Sequence, residues 1–157
     1  MSNSLEAKLH ELWAADAVLD ALLPAARVFT GRVPPETATP CARIELSGST
    51  LSERSNQSLF HLEIFRVGIW TDDLNEGRLI LRAVENAFVN LDFEIGEDRV
   101  LDAKHDASTL IQSEDPDDTT WQIVCQFTAK TSRARPELAV SSSSSSSGSS
   151  SGQSSSS

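Results

Sequence analysis

The chain is poor in basic residues. Its 13 Lys and Arg stand against 23 Asp and Glu, which gives a formal net charge of −10. Proteins that bind nucleic acid by neutralising phosphates need clustered Lys and Arg, and this sequence contains no basic run. The charge therefore argues against nucleic-acid binding as the main function.

Cysteines and long apolar runs are also scarce. Cys41 and Cys125 lie far apart in predicted strands, and two cysteines do not make a disulfide framework, so we expect buried free thiols. The N-terminus shows no basic region followed by an apolar run, and no segment is apolar enough to cross a membrane. We therefore expect a protein made in the cytoplasm with no membrane partner.

Signatures of metal binding and catalysis are missing as well. The three histidines, His10, His61 and His105, show no HxxxH spacing, and neither cysteine belongs to a Cys-x-x-Cys motif. The glycines are isolated, which excludes a glycine-rich phosphate loop. Asp102 and Asp106 flank His105, but no Gly-x-Ser-x-Gly elbow accompanies them, and a solvated strand edge explains them better.

The acidic segment 114–118 suggests calcium at first sight. It lacks the central Gly and terminal Glu of a calcium loop, and Pro116 favours a turn. We interpret it as a charged hairpin tip. The sequence thus predicts no cofactor, no metal and no catalytic residue.

The most informative stretch is residues 57–91, where a strand runs into a helix. Phe60, Leu62 and Ile64 alternate with polar residues, but from Phe65 onward the other positions become apolar. Either a bulge shifts the pleat, or the strand passes from a solvated edge to a covered position. We favour one of these two explanations without choosing between them.

An amphipathic helix follows over residues 73–91. Asp73 and Glu76 have the spacing of a capping box. Apolar residues then recur at steps of three and four: Leu74, Gly77, Leu81, Val84, Phe88 and Leu91. This stripe predicts that one face of the helix packs on the sheet.

The N-terminal third predicts a further helix and two strands. Residues 4–23 carry a helical apolar stripe, Asn3 and Glu6 suit a capping box, and Pro24 ends the helix. Strands are expected at 27–29 and, after a Pro-rich loop, at 41–47. The polar run 47–58 has no periodicity and is expected to be a long mobile loop.

The C-terminal part predicts a hairpin and a tail. A short strand is expected at 93–95, and arms at 100–113 and 119–130 flank the turn at 114–118. Residues 133–157 are rich in Ser and expected to be disordered. The predicted fold is therefore one α+β domain, residues 1–132, with an N-terminal helix, a mixed and mostly antiparallel sheet of about 4–6 strands, one long amphipathic helix and a C-terminal β-hairpin.

The order of these elements resembles the phage tail-completion, or tail-terminator, proteins of the head–tail joining region. The matching features are the N-terminal helix, the Pro-bearing loop, the strand ending in Val67-Gly68-Ile69-Trp70-Thr71, the amphipathic helix and the hairpin with Asp-Pro at its tip. The resemblance covers about residues 5–132 and excludes the Ser-rich tail.

The resemblance implies a structural, non-enzymatic virion protein, assembled in the host cytoplasm and located in the tail or neck. Such proteins form homo-hexameric rings that cap the tail tube and present a surface to the head-completion or neck protein. Genome DNA would pass through the lumen without sequence-specific binding, which suits an acidic chain if acidic groups line the lumen. Two different faces are needed for a closing ring, and the candidates are unpaired sheet edges, the polar run 47–58 and the first helix.

Two other functions stay open at this point. One is another neck component, such as a head-closure protein or a minor tail subunit, and the other is a small cytosolic enzyme or ligand-binding domain. Exposure and charge indicate candidate interface residues around the Pro-rich loop, in the polar run and at the hairpin tip: Arg27, Arg32, Arg43, Glu53, Arg54, Asp115 and Asp117.

Overall fold

The structure of the protein, a computed structural model, describes residues 4–55 and 57–134. The predicted disordered tail lies outside this part of the chain from residue 135 onward. The elements are α1 (Leu5–Ala15), α2 (Ala17–Leu22), a 3-10 turn (Ala25–Arg27), β1 (Val28–Phe29), β2 (Cys41–Arg54), β3 (Ser58–Thr71), α3 (Leu74–Ala87), β4 (Phe93–Ile95), β5 (Asp98–Gln112) and β6 (Trp121–Ala134).

The strands form one mixed sheet in the order β1-β2-β3-β6-β5-β4. Only β1 runs parallel to its neighbour, β2, and every other pair is antiparallel. The predicted α+β class and mixed sheet are confirmed. The two C-terminal strands pair as neighbours and begin and end a few residues from the predicted arms.

The helices pack on one face of this sheet and bury a core rich in aromatic rings. Phe65 of β3 stacks on Phe127 of β6 with 5.0 Å between ring centroids. Phe88 lies edge-on to both rings and contacts Trp13 of α1 at 6.1 Å. All four side chains are fully buried. No helix in the described residues is long and apolar enough to span a membrane.

The prediction of one N-terminal helix over residues 4–23 was wrong. Asp16 takes an extended backbone conformation, and its carboxylate accepts hydrogen bonds from the N–H groups of Val18 and Leu19, which begins a second helix. An Asp at this position competes with helix continuation because its side chain caps a new N-terminus. The N-cap of α1 is Ser4, whose hydroxyl accepts from Ala7, and Asn3 lies outside the described residues.

The predicted mobile loop at 47–58 was also wrong. Strand β2 continues through this run to Arg54, and β3 begins at Ser58, so the two strands form a long hairpin. The polar run carries no alternation because helices cover neither of its faces, and its residues are mostly exposed. Hydrogen bonds from β3 hold it extended in place of side-chain burial.

The apolar switch in β3 does not come from a bulge in that strand. Its pairing with β6 runs without a shift from Ser58 to Thr71, while the shifts lie in β2 and β5. Phe60, Leu62 and Ile64 therefore lie on the face opposite the helices. From Phe65 onward the buried side chains lie on the helix face, so the strand changes which of its faces is apolar. The second explanation, a strand that leaves a solvated edge, was also wrong, because β3 lies between β2 and β6 along its length.

Helix α3 is shorter at its C-terminus than the predicted range 73–91. Asp73 caps the start, with its carboxylate accepting from the N–H of Asn75 at 2.9 Å. The helix stops at Ala87, and Asn90 adopts a positive φ of 54° while its N–H donates to Ala103. Asn tolerates this left-handed conformation, so it turns the chain towards β4.

Candidate assembly surfaces

The face of the sheet opposite the helices is uncovered, and we call it the open face. Near the tip of the β2–β3 hairpin this face carries an apolar patch, Phe60, Leu62 and Ile64 of β3, whose side chains are partly or largely solvent-accessible. The Lys130 ammonium of β6 lies 4.8 Å from the Phe60 ring centroid, a cation–π contact. This patch is a surface on which another protein can pack.

The polar part of the open face lies at the other half of the same strands. Arg43 forms an ion pair with Glu45, and the Arg66 Nε donates to Gln126 at 3.3 Å. With Trp70 they line a shallow depression of about 150 Å³. The Arg43 Nε is buried and, within the described residues, has no hydrogen-bond partner.

One end of the sheet is the tip of the β2–β3 hairpin, which we call the hairpin end. Glu53 and Arg54 are exposed there, and the Glu53 carboxylate lies 3.5 Å from Lys130. Beside it, Arg133 donates two hydrogen bonds to Asp98, at 2.5 and 2.7 Å. The Asp98 carboxylate in turn raises the pKa of Arg133.

The opposite end of the sheet joins the Pro-rich loop to the β5–β6 turn, and we call it the loop end. Asp72 accepts hydrogen bonds from Thr39 of the loop and from Thr120 beside the turn, at 2.6 and 3.2 Å. Arg27 donates to the Ala38 carbonyl at 2.8 Å and so holds the loop in place. A cleft of about 330 Å³ lies between the loop and Trp70.

The seven predicted interface residues do not converge on one site. Arg43 lies on the open face, and Glu53 and Arg54 lie at the hairpin end. The remaining four belong to the loop end or to the turns beside it: Arg27, Arg32, Asp115 and Asp117. Their role in an interface stays a prediction, and the structure distributes them over the open face and the two opposite ends of the sheet.

Among residues 4–55 and 57–134, both lateral edges of the sheet are largely unpaired. On the outer side of β2, β1 pairs only with Ala42 and Arg43, so no second strand of the described residues pairs with residues 44–54. On the outer side of β5, β4 pairs only with residues 98–100, and in the part of the chain that the structure describes no strand pairs with that side of residues 101–112. Sequence reasoning missed the extent of the β2 edge because it assigned 47–58 to a loop, and it predicted the β5 strand without showing that this strand has an open edge. An open edge presents backbone N–H and C=O groups to a further strand.

A cluster of His105, Ser108 and Glu85 tests the enzyme alternative. The His105 Nε2 lies 2.8 Å from the Ser108 Oγ and 3.5 Å from a Glu85 oxygen. Because one ring nitrogen faces both groups, the imidazole is not held between a nucleophile and an orienting acid, as a triad requires. Asp102 lies on the open face and does not join the cluster.

The thiols are also unsuited to nucleophilic chemistry. Both are free and buried. Burial raises the pKa of Cys125 to about 12 and also raises the pKa of Cys41, against the opposing charge of Arg27. A protonated thiol is a poor nucleophile and a poor metal ligand. The described residues contain no group of three or more His, Cys, Asp or Glu placed to hold a metal ion.

Glu63 is a carboxylic acid whose pKa is raised in the folded chain. It lies on the helix face of β3, near the hairpin end. Burial raises its pKa, and the Asp98 carboxylate raises it further, while His61 and Arg133 act in the opposite direction. Within the described residues no hydrogen bond or ion pair holds the Glu63 carboxylate. Ionisation of this group therefore costs more in the folded chain than in the unfolded chain.

Replacing Glu63 with Gln is expected to stabilise the protein more at neutral than at acidic pH. A raised folded pKa means that wild-type stability falls as pH rises through that pKa, whereas Gln stays neutral. Urea midpoints of variant and wild type, compared at about pH 4 and about pH 7, should differ more at the higher pH. Glu114→Gln, in the exposed turn, is the control, and an equal gain for both variants would contradict the assignment.

Comparison with known families matches residues 7–132 to the family described as Tail completion protein gp17. Among solved structures, a chain of the "Virion of native gene transfer agent (GTA) particle" superposes with a TM-score of 0.66 at 21% identity. The alignment covers 82% of this chain and 95% of that chain. At this identity the likeness shows the fold. No curated protein matches the chain.

Proposed function

The chain belongs to the Tail completion protein gp17 family and is a structural protein of the virion tail, and from this we propose that it closes into a ring. The ring caps and terminates the tail tube of a tailed phage or phage-like particle and joins it to the head or neck. The observation that carries the proposal is the pair of different open edges, on β2 and β5, in a chain of this family.

Two different edges suit a head-to-tail contact. When one patch binds a different patch on the next copy, the contact repeats, and it closes into a ring if the rotation allows. A contact between identical edges would instead give a dimer. The homo-hexamer implied by the resemblance is one closed form of such a head-to-tail assembly.

The two ends of the sheet suit the two partners of a capping ring. In a ring whose strands run roughly along the axis, the hairpin end and the loop end form opposite rims. Glu53 and Arg54 then lie on one rim, and Asp115 and Asp117 lie on the other. We propose that one rim contacts the tail tube protein and the other contacts the head-completion or neck protein.

The lumen is proposed to pass genome DNA without sequence-specific binding. The net charge of −10 disfavours adhesion to phosphates. The open face is not the acidic surface, because its charges are mixed: Arg43, Arg66, Arg99, Lys104 and Lys130 against Glu45, Glu53, Asp102 and Asp106.

The proposal is tested by charge reversal at each rim. Arg54→Glu and Asp117→Lys should each leave ring mass unchanged in native mass spectrometry but impair one junction. In particles that depend on the variant, electron microscopy should then show uncapped, over-long tails for one variant and capped, headless tails for the other. The two variants are expected to show different defects because each rim contacts a single partner.

The matched control is Arg78→Glu on the exposed surface of α3, which should leave both junctions intact. If capping and joining both survive the two rim variants, the rim assignment is wrong. Normal tails in particles that lack the protein would overturn the capping function. Correct tail lengths combined with unclosed heads would instead identify a head-closure protein.

A further inference from the structure

The two open edges have a defined relative direction. Strand β2 is antiparallel to β3, β3 is antiparallel to β6, and β6 is antiparallel to β5. Strands β2 and β5 of one subunit therefore run in opposite directions. If a second copy is placed beside the first by rotation about an axis along the strands, its β5 runs antiparallel to β2 of the first.

Pairing between copies must also match the faces of the two strands. On the β2 edge, Glu45 and Glu53 belong to the open face, while Leu46 belongs to the helix face, because each shares the face of its β3 partner. On the β5 edge, Lys104 belongs to the open face and Leu110 to the helix face, by their β6 partners. Only registers that place like faces opposite each other keep the helices of both copies on one side.

A level register uses little of the available edge. Tracing the pairing through β3 and β6 places Ile44 at the height of Ser108 and Thr50 at the height of Asp102. Beyond Ile44 the edge of β2 is occupied by β1, and beyond Asp102 the edge of β5 is occupied by β4. The level register therefore joins about seven residues of each strand and gives Lys104 only Gly48 as its opposite residue.

A register staggered by four residues matches the edges better. It places Glu53 opposite Lys104 and Leu46 opposite Leu110, and it pairs residues 44–54 with residues 103–112. Opposite charges and apolar pairs directly across an antiparallel ladder are stabilising. Leu46 and Leu110 are 39% and 47% exposed in the single chain, and this register covers both. Within the described residues, Lys104 has no ion-pair partner.

We propose, on the basis of the ring function above, that β2 of each subunit adds antiparallel to β5 of the next copy in this staggered register. The ring is then a continuous sheet that passes from subunit to subunit. The stagger corresponds to strands tilted from the ring axis, as in closed barrels, where tilt and shear are linked. Strands β1 and β4 limit this pairing, because β1 already occupies residues 42–43 of β2 and β4 already occupies residues 98–100 of β5.

The test is a disulfide between copies, with Glu53→Cys and Lys104→Cys in one chain. Within a subunit the two positions are separated by three strand spacings, about 14 Å across the sheet, and also by four residues along the strands, which is too far for a disulfide. In the proposed register they lie directly opposite across the interface, within reach of one. Oxidation should therefore give a ladder of covalent multimers up to the closed ring on non-reducing gels.

Three controls make the result specific. Either single cysteine variant should lose the ladder and give dimers at most. The pair Thr50→Cys with Asp102→Cys reports the level register and should not cross-link into multimers. Matching circular dichroism and thermal unfolding of the reduced variants would show that every chain is folded, since all four positions lie on solvent-accessible strands.

The outcomes separate this inference from the ring function. A ladder from the Thr50 and Asp102 pair alone would overturn the staggered register. Intact rings by native mass that no pair can cross-link would overturn edge pairing and leave the capping function standing. A wild-type chain that stays monomeric at high concentration and on isolated tails would overturn both.

Discussion

Replacing Phe88 with alanine is expected to lower the free energy of unfolding by about 3–5 kcal/mol. Phe88 is fully buried and its ring lies 6.1–6.2 Å from Trp13, Phe65 and Phe127. It therefore joins α1, the end of α3 and both central strands. Alanine removes the ring from all of them and leaves a cavity that surrounding side chains refill only in part.

The measurement is urea denaturation. The free energy of unfolding should depend on urea concentration with the same slope in the variant and the wild type, so that a shift of the midpoint reports stability. Phe88→Leu retains most of the volume and should cost about 1 kcal/mol. Leu79→Ala, on the exposed side of the same helix, removes apolar atoms where solvent already reaches them, so it should change stability by less than about 0.5 kcal/mol. If Phe88→Ala were as mild as Leu79→Ala, the aromatic cluster would not be the centre of the core.

Replacing Gly77 with alanine is expected to destabilise the protein by about 1–2 kcal/mol, although alanine is the better helix former. A Cβ at this position would lie 2.6 Å from Thr71 Cγ2 and 2.9 Å from Ile123 Cδ1. Thr71 cannot move freely, because it is buried and its hydroxyl bonds both the N–H and the carbonyl of Asp73. The steric cost therefore exceeds the gain of about 1 kcal/mol in helix propensity.

A second substitution makes this prediction specific. Thr71→Ser removes the clashing methyl and keeps the hydroxyl, so it should recover part of the loss in the Gly77→Ala background and stabilise nothing by itself. Gly31→Ala is the control, because no atom lies within 4 Å of a Cβ added there. Additive effects of the Gly77 and Thr71 substitutions would show that the close approach of helix and sheet is not the cause.

The strongest periodic signals predicted the fold best. The apolar stripe predicted helix α3, and the apolar alternation predicted strand β6. Each element buries one face, and this burial imposes a period on the sequence. The short strand at 93–95 was also predicted with its observed bounds. Predictions failed where no face is buried, as in residues 47–54, whose polar side chains give no period although their backbone is a strand.

Helix ends were predicted less well than helix centres. Asp16 looks like an ordinary polar residue within a helical stripe, and its role as a cap depends on a local backbone choice that the apolar pattern does not record. The end of α3 likewise depends on Asn90, whose N–H bonds Ala103, a partner distant in sequence. Both ends are decided by hydrogen bonds and not by burial.

The candidate site was predictable only in part. Exposure and charge identified Arg43, Glu53 and Asp117 as candidates from sequence, but not the two opposite ends and the open face on which they lie. The open edges of β2 and β5 carry no sequence pattern, since an edge is defined by the absence of a neighbouring strand. Only the strand pairing in the folded sheet shows which backbone groups are left without a hydrogen-bond partner.

The sequence by itself determined the α+β class, the helix-forming stripe of α3 and, through the ordered pattern of elements, the resemblance to tail-completion proteins. These features depend on local periodicity, which each segment carries within itself. The tertiary structure decided where β2 and β3 end, which face of β3 is covered, and that within the described residues two edges of opposite strand direction remain open. Those features depend on contacts between residues far apart in the chain, because strand pairing and burial on one face arise only when the segments meet.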